Sequence, residues 1–172
     1  MRRTWTRAIL AAGALVLALG PSATGQSNEK SFKATLSGAQ EVPSNSTTGT
    51  GEFRAQLDTA GTTLSYELEY SALEGASTLF AHVHLGQRGA SGGVSFFLCG
   101  GGGKPPCPTT GGTVTGTVTA ADVVGPTGQG IAPGEFDEII TAMQSGIAYA
   151  NVHTDKHPGG EIRGQIKDAR SE

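Results

Sequence analysis

The chain has 172 residues, is 37% hydrophobic and only 16% charged, and carries a formal net charge of −3. This length fits one domain with its own core and is too short for two. Glycine is unusually frequent, with 27 residues, and such a turn-rich composition argues against a helical bundle. Nucleic acid is excluded as a partner, because binding phosphates needs concentrated lysine and arginine.

The first 25 residues predict a secretory signal peptide. Arg2, Arg3 and Arg7 precede the apolar run AILAAGALVLALG, which ends in the small-residue stretch PSATG. We expect cleavage after Gly25, which leaves residues 26–30 as a short N-terminal tail and makes the product secreted or periplasmic. The apolar run is too short to anchor the chain, and no later segment predicts a membrane span. Loss of the three arginines leaves nine basic residues against 15 acidic ones, a net charge of about −6.

Alternating apolar residues predict three strands after the tail. The segments SFKATLSG, GEFRAQLD and TTLSYELEYSAL each direct every second side chain to one face. A polar loop separates the first two strands, and the turn DTAG joins the second to the third. Three strands in this order predict an antiparallel meander.

The second half predicts further strands and one helix. STLFAHVHLG, GVSFFLC and GGTVTGTVTA read as strands, and IAYANVHT and GEIRGQIKD close the chain with two more. Between these groups, GEFDEIITAMQSG has apolar residues at helical spacing, acidic residues in its first turn and Gly146 placed to end it. The pattern therefore predicts an all-β fold, an antiparallel β-sandwich of seven or eight strands with one short helix. We place the domain at residues 31–168 and expect residues 169–172 to be frayed.

The two cysteines predict a disulfide. Cys99 and Cys107 flank the glycine- and proline-rich loop GGGGKPP, and an exported chain folds in an oxidising compartment. The alternative, a pair of thiolate metal ligands, lacks the CxxC spacing of such sites.

The histidines are the candidate metal ligands. His82 and His84 occupy positions i and i+2 of a predicted strand, so they share one face with Cα atoms about 6.6 Å apart. His153 lies in a second predicted strand, and His157 follows it by four residues. If the two strands are neighbours, three or four imidazoles meet, a donor set that suits copper or zinc, with His157 as the weakest candidate. The alternative is that these histidines are exposed, or buried and satisfied by backbone hydrogen bonds.

Two long segments carry a family resemblance. LFAHVHLGQRGASGGVSFFLC, with its HxHxGxxGxxG pattern, and GIAYANVHTDKHPGGEIRGQI resemble the CHRD (chordin) domain, and the likeness covers residues 31–167. It implies an exported antiparallel β domain that acts as a binding or structural module. It also implies an extracellular ligand or protein as the partner, without saying which.

A more distant resemblance concerns the histidines alone. An HVH pair followed later by a VH histidine is similar to the copper site of copper/zinc superoxide dismutases. The sandwich we expect is accordingly either immunoglobulin-like or superoxide dismutase-like. The resemblance implies His82, His84 and His153 as copper ligands. No histidine lies between His84 and His153, so a bridging ligand and a zinc cluster have no counterpart.

Metal-ligating histidines usually donate their second ring nitrogen to a carboxylate or carbonyl. Asn151, Asp155 and Glu161 are nearby candidates for that support, and Arg163 could brace the same strand end together with Glu161.

These observations leave three functional hypotheses. The first is an exported binding or structural module with a histidine site for copper, zinc being less favoured. The second is a copper-dependent, dismutase-like redox enzyme. The third is a structural extracellular protein without metal. The motifs of hydrolases, P-loop proteins and zinc proteases are absent from the sequence, so we expect no such catalytic residues.

Overall fold

The computed structural model of the protein describes residue 1 and residues 30–170. The predicted signal peptide beyond Met1, residues 26–29 of the predicted tail and the last two residues of the predicted frayed end lie outside the described residues.

The described chain contains strands and one α-helix, in an order close to that predicted. The strands are β1 (Ser31–Ser37), β2 (Thr50–Leu57), β3 (Leu64–Ser71), β4 (Thr78–Leu85), β5 (Val94–Cys99), β6 (Gly112–Val118), β7 (Ala148–Thr154), β8 (Ile162–Gln165) and β9 (Lys167–Asp168). The helix α1 (Phe136–Gln144) lies between β6 and β7, and three short 3-10 turns occur at 38–40, 120–122 and 127–129.

All strands belong to one antiparallel sheet. Its order is β5, β4, β7, β8, β1, β2, β3, β6, with the short β9 beside β1. The sheet curls until its ends approach one another, and the Tyr66 hydroxyl on β3 donates a 2.7 Å hydrogen bond to the Leu98 carbonyl on β5. The predicted all-β antiparallel class is therefore confirmed, and the strands form one continuous, nearly barrel-shaped sheet.

The core follows the predicted alternation. Along β3, Leu64, Tyr66, Leu68 and Tyr70 are buried while the residues between them are exposed. The apolar stripe of α1 packs into the same core and Gly146 ends the helical segment at φ +69°, a conformation that glycine adopts without strain.

Strand β4 shows one departure from the predicted alternation. Ala81 and Val83 face the core as expected, but Leu79 is 38% exposed. The pairing with β7 shifts register between Thr78 and Phe80, and this irregularity turns Leu79 away from the core.

The predicted disulfide is confirmed. Cys99 at the end of β5 is bonded to Cys107, with their Cα atoms 5.1 Å apart. The bond closes the glycine-rich loop, and a Cβ atom added to Gly101 or Gly102 would lie within 2.7 Å of the Phe97 ring. The loop therefore packs directly on an aromatic side chain of β5.

Candidate metal centre

Antiparallel pairing of β4 with β7 brings three of the four histidines together. The register places Phe80 opposite His153 and His82 opposite Asn151, so His153 is diagonal to His82 across the two strands. The ring centroid of His82 lies 4.4 Å from that of His84 and 4.5 Å from that of His153. His82 is therefore the centre of a compact group of three imidazoles.

The three histidines lie on the face of the sheet that points away from the core. Their strand neighbours Ala81, Val83 and Val152 belong to the core cluster, and the alternation of a strand sends the histidines to the other side. This face is covered as well, since the three histidines are only 4–8% exposed. The site is thus a buried polar cluster outside the hydrophobic core.

Hydrogen bonds orient two of the three rings. The Nδ1 atom of His84 is 2.8 Å from the Gly92 carbonyl oxygen, and the Nδ1 atom of His153 is 2.9 Å from that of Pro158. A carbonyl can only accept, so each neutral ring carries its proton on Nδ1 and a lone pair on Nε2. Both Nε2 atoms, and Nδ1 of His82, are buried without a hydrogen-bond partner.

The group has the size and chemistry of a metal site. One potential ligand atom from each histidine lies within 4.8 Å of the other two. Three nitrogens bound to one ion at about 2.0–2.1 Å lie roughly 3.3–3.6 Å apart, so each pair would have to approach by no more than about 1.5 Å. Imidazole nitrogens suit zinc, copper, iron and nickel, and the described residues of this cluster include no carboxylate or thiolate. The residues present therefore fit a transition metal.

Burial keeps the three imidazoles neutral. It lowers the pKa of His82 to about 2, with further lowering by His84 and His153. Burial also lowers the pKa of His84 to about 4. The hydrogen bond to Gly92 raises this pKa, and the charge of Arg163 lowers it further. The pKa of His153 is also lowered, again by burial. At neutral pH the ring lone pairs are consequently free of protons that would compete with a metal.

Aromatic rings enclose the cluster. Phe80 stacks on His82 at 5.2 Å and lies 4.8 Å from His153, and Phe97 meets His82 edge-on at 5.2 Å. Tyr149 is parallel to His84, with centroids 4.6 Å apart and an interplanar angle of 8°. These contacts restrict the rings and exclude water from their faces.

The glycines after the HxH motif serve the same geometry. A Cβ atom on Gly92 would lie 1.6 Å from the Leu85 carbonyl oxygen, so only glycine lets this loop come close enough to present its carbonyl to His84. The Gly92 amide donates in turn to the Tyr149 hydroxyl at 3.1 Å. Gly92 therefore joins the hydrogen bonding of His84 to the ring stacked upon it.

The residues predicted to support the histidines bond to other groups. Asn151 donates to a Glu41 carboxylate oxygen at 2.8 Å and to the Ile162 carbonyl. Arg163 donates to the carbonyls of Gln40 and Ala90, and its guanidinium carbon lies 4.7 Å from the Tyr149 ring centroid. The direct supports of His84 and His153 are the carbonyls of Gly92 and Pro158, which sequence reasoning missed because any residue has a carbonyl.

Glu161 and Asp155 also bond away from the histidine rings. The Glu161 carboxylate accepts from Thr47, from Thr154 and from the amides of Glu74 and Gly75. Asp155 accepts from the amide of Ser77. The suggested bracing of the strand end by Glu161 and Arg163 therefore runs through separate partners and not through a bond between the two.

His157 is not a member of the cluster that the structure brings together. Its amide donates to the Thr154 hydroxyl and its carbonyl accepts from Gly160, so it shapes the turn between β7 and β8. Its Nε2 atom is buried without a partner, but the group of convergent ligand atoms consists of His82, His84 and His153.

A buried carboxyl group near this face was also missed. Glu41 is only 6% exposed, and burial raises its pKa to about 7, although the Arg163 charge, the Asn151 hydrogen bond and the Val42 amide oppose the rise. A polar loop sequence gives no signal for such burial. Glu41, Tyr149 and Arg163 line one groove of about 410 Å³ beside the cluster.

Comparison with known proteins gives one match. The family profile of the CHRD domain matches residues 32–166, nearly the whole described chain. No curated protein and no solved structure shows a significant match.

No helix in the described part of the chain is long and apolar enough to span a membrane. CHRD domains are extracellular domains of the binding type, and the disulfide fits that location. The chain belongs to the CHRD domain family.

Proposed function

We propose that this protein is an exported CHRD binding module that holds one copper ion on His82, His84 and His153. The N-terminal signal in the sequence and the disulfide support an oxidising location, secreted or periplasmic. Asn151, Glu161 and Arg163 hold the surrounding strands and loops. His157, which the sequence left as the weakest ligand, is not part of the proposed set.

One observation carries the proposal: three buried histidines bring one potential ligand atom each within 4.8 Å of one another, and each has a buried ring nitrogen without a hydrogen-bond partner. A buried polar atom without a partner costs about 1–3 kcal/mol, and most such atoms in folded proteins are satisfied. Three in one cluster, with two rings held in the tautomer that leaves a lone pair on Nε2, are difficult to explain by packing alone. A bound cation would satisfy all three.

Copper is the preferred ion on two grounds. Nitrogen sites bind Cu²⁺ more tightly than Zn²⁺ in the general order of divalent metals. Imidazole ligands also serve both oxidation states of copper, and the cluster offers no thiolate or carboxylate among the described residues. Zinc is the less favoured alternative. Copper, when bound, would supply a Lewis-acidic, redox-active centre.

Metal titration of the purified protein tests the proposal. We expect one equivalent of copper to bind with a dissociation constant below about 10 μM. His82→Ala, His84→Ala and His153→Ala should each weaken binding by at least about 100-fold, while His157→Ala, the matched control, should leave it unchanged. Near-ultraviolet circular dichroism would show that each variant is folded.

Two results would reject the site. The first is that neither copper nor zinc binds the wild-type protein more tightly than about 10 μM, which would leave a structural extracellular protein. The second is that the His157→Ala variant loses metal as severely as the three others, which would change the ligand set.

A second candidate function is dismutase-like redox activity at the same copper. The observation that favours it is the ligand number, since three protein ligands leave a coordination position open, as in catalytic metal sites. Superoxide turnover by the copper-loaded protein, absent in His82→Ala, would support the enzyme. Tight copper binding without turnover would leave the binding module alone.

A further inference from the structure

We propose that Arg163 shifts the metal preference of the three-histidine site toward monovalent ions, raising the affinity for reduced copper relative to oxidised copper and to zinc. The inference rests on the proposed metal site and adds the charge state of its ligand. It assigns Arg163 a role as a specificity-determining residue that acts through its charge and does not touch the metal.

The ligand cluster brings no negative charge of its own. Its three donors are neutral imidazoles, and no carboxylate of the described residues belongs to the group. The charge of a bound ion is therefore not compensated by its ligands. Charges outside the cluster then have more influence on which ion binds.

Arg163 places a fixed positive charge close to the cluster. Its side chain is only 4% exposed, and bonds to the carbonyls of Gln40 and Ala90 prevent it from turning away. The guanidinium carbon is 4.7 Å from the Tyr149 ring centroid, which is 4.6 Å from that of His84. Because β7 lies between β4 and β8, Tyr149 separates the Arg163 guanidinium from the His84 ring. The Arg163 charge is therefore within about one Debye length of the histidine cluster, ~10 Å at 0.1 M salt.

Glu41, a carboxyl group that lines the same groove as Arg163, offsets this charge only in part at neutral pH and less below it. Burial raises the pKa of Glu41 to about 7, so about half of it is protonated at pH 7. The other groups that contact Glu41 are uncharged: the Asn151 amide on β7, the Val42 amide and the backbone of Gly160. Arg88, which lines the same groove, adds a second positive charge that solvent screens.

A fixed positive charge repels a divalent ion twice as strongly as a monovalent one. At about 10 Å and an effective dielectric constant of about 20, the difference corresponds to roughly tenfold in relative affinity. The expected effect of Arg163 is therefore a tenfold higher ratio of Cu(I) to Cu(II) affinity, equivalent to a midpoint potential about 59 mV higher for a one-electron couple.

The test measures this ratio in variants. Dissociation constants for Cu(I), Cu(II) and Zn(II) would be determined by chelator competition for the wild type, Arg163→Gln and Arg163→Lys. We expect Arg163→Gln to lower the Cu(I) to Cu(II) ratio about tenfold and to strengthen zinc binding, while Arg163→Lys, which keeps the charge, retains most of the ratio. The exposed Arg88→Gln removes the same charge and should change the ratio much less.

The outcomes separate this inference from the proposed function. If copper binds and the ratio is the same in Arg163→Gln, or falls equally in Arg163→Lys, the inference is overturned and the metal site stands. If the wild type binds no copper in either state, the site itself is refuted and the inference with it.

A measurement on the wild type covers the case in which Arg163→Gln does not fold. The ratio of Cu(I) to Cu(II) affinity should fall as the pH rises from 6 to 8, because ionised Glu41 then offsets the charge of Arg163. In the Glu41→Gln variant this ratio should fall less. An equal pH dependence in both proteins would contradict the inference.

Discussion

The imidazole of His84 donates from Nδ1 to the carbonyl oxygen of Gly92, 2.8 Å away and eight residues further along the chain. One hydrogen bond thus sets the tautomer of a candidate ligand and ties it to a loop that only glycine can form.

Gly92→Ala should both destabilise the protein and weaken metal binding. Its Cβ atom would lie 1.6 Å from the Leu85 carbonyl oxygen and 2.7 Å from the Leu85 carbonyl carbon, so the backbone must shift and the Gly92 carbonyl moves away from His84. We expect a loss of about 1–3 kcal/mol in the free energy of unfolding, measured with urea. Gly128→Ala is the matched control, because a Cβ atom there meets nothing within 4 Å. Equal stability of the two variants would contradict this account.

Glu41→Gln should make the protein more stable at alkaline pH. The pKa of Glu41 rises from 4.5 to about 7 on folding, so the native state binds its proton more tightly than the unfolded state. The protonated Glu41 therefore contributes up to about 3 kcal/mol to the free energy of unfolding. This stabilisation is complete below pH 4.5, declines as the pH rises and is lost above about pH 7. Glutamine stays neutral and can still accept from Asn151.

Urea unfolding of the metal-free proteins between pH 5 and pH 8 measures this effect. The difference between the wild type and Glu41→Gln isolates Glu41 from the histidines, whose lowered pKa values act in the opposite direction. A difference that does not vary with pH would show that Glu41 does not titrate as described.

Glu161→Gln should be strongly destabilising although it changes only one atom. The buried carboxylate accepts hydrogen bonds from two threonine hydroxyls and two backbone amides, and an amide nitrogen cannot accept from them. We expect the free energy of unfolding to fall by about 3 kcal/mol. Glu69→Gln, on the exposed side of β3, is the matched control and should change it by less than about 0.5 kcal/mol. Similar melting temperatures for both variants would refute the structural role of Glu161.

The same carboxylate should make the protein sensitive to acid. Burial alone would raise the pKa of Glu161, but the hydrogen bonds from Thr154, Glu74, Thr47 and Gly75 outweigh it and lower the pKa. The stabilisation is therefore present above the unfolded pKa of 4.5 and is lost as the pH falls below it. The difference in unfolding free energy between the wild type and Glu161→Gln should accordingly shrink between pH 5 and pH 3.

Loss of the disulfide should cost stability and loosen one wall of the histidine cluster. Opening the short loop between Cys99 and Cys107 costs about 2–3 kcal/mol in the chain-entropy model. The freed loop covers Phe97, whose ring meets His82 at 5.2 Å, so metal affinity should fall as well. Urea unfolding and metal titration with and without reductant measure both effects. The Cys99→Ser/Cys107→Ser variant is the control, since reductant should not affect it.

Features that depend on local periodicity could be predicted from the sequence. Residues two apart on a strand share a face, so the HVH motif was sufficient to place His82 and His84 side by side. Spacing of 3.6 residues identified α1, and two cysteines around one short loop allowed a single disulfide pairing. The resemblance to the CHRD domain rested on the same short motifs and is confirmed by the family profile.

The tertiary structure decided which distant groups meet. His153 reaches His82 only because β7, which is not consecutive with β4, pairs with it in this register, and a shift of one residue would turn His153 to the core face. The Gly92 and Pro158 carbonyls, the buried Glu41 and the position of Arg163 depend on loop paths that no periodic pattern encodes. The amino-acid sequence by itself determined the strands, the helix, the disulfide and the histidine pair, because these follow from neighbouring residues. Strand order and loop closure, which are set by burial across the whole chain, decided the third histidine and the charges around the site.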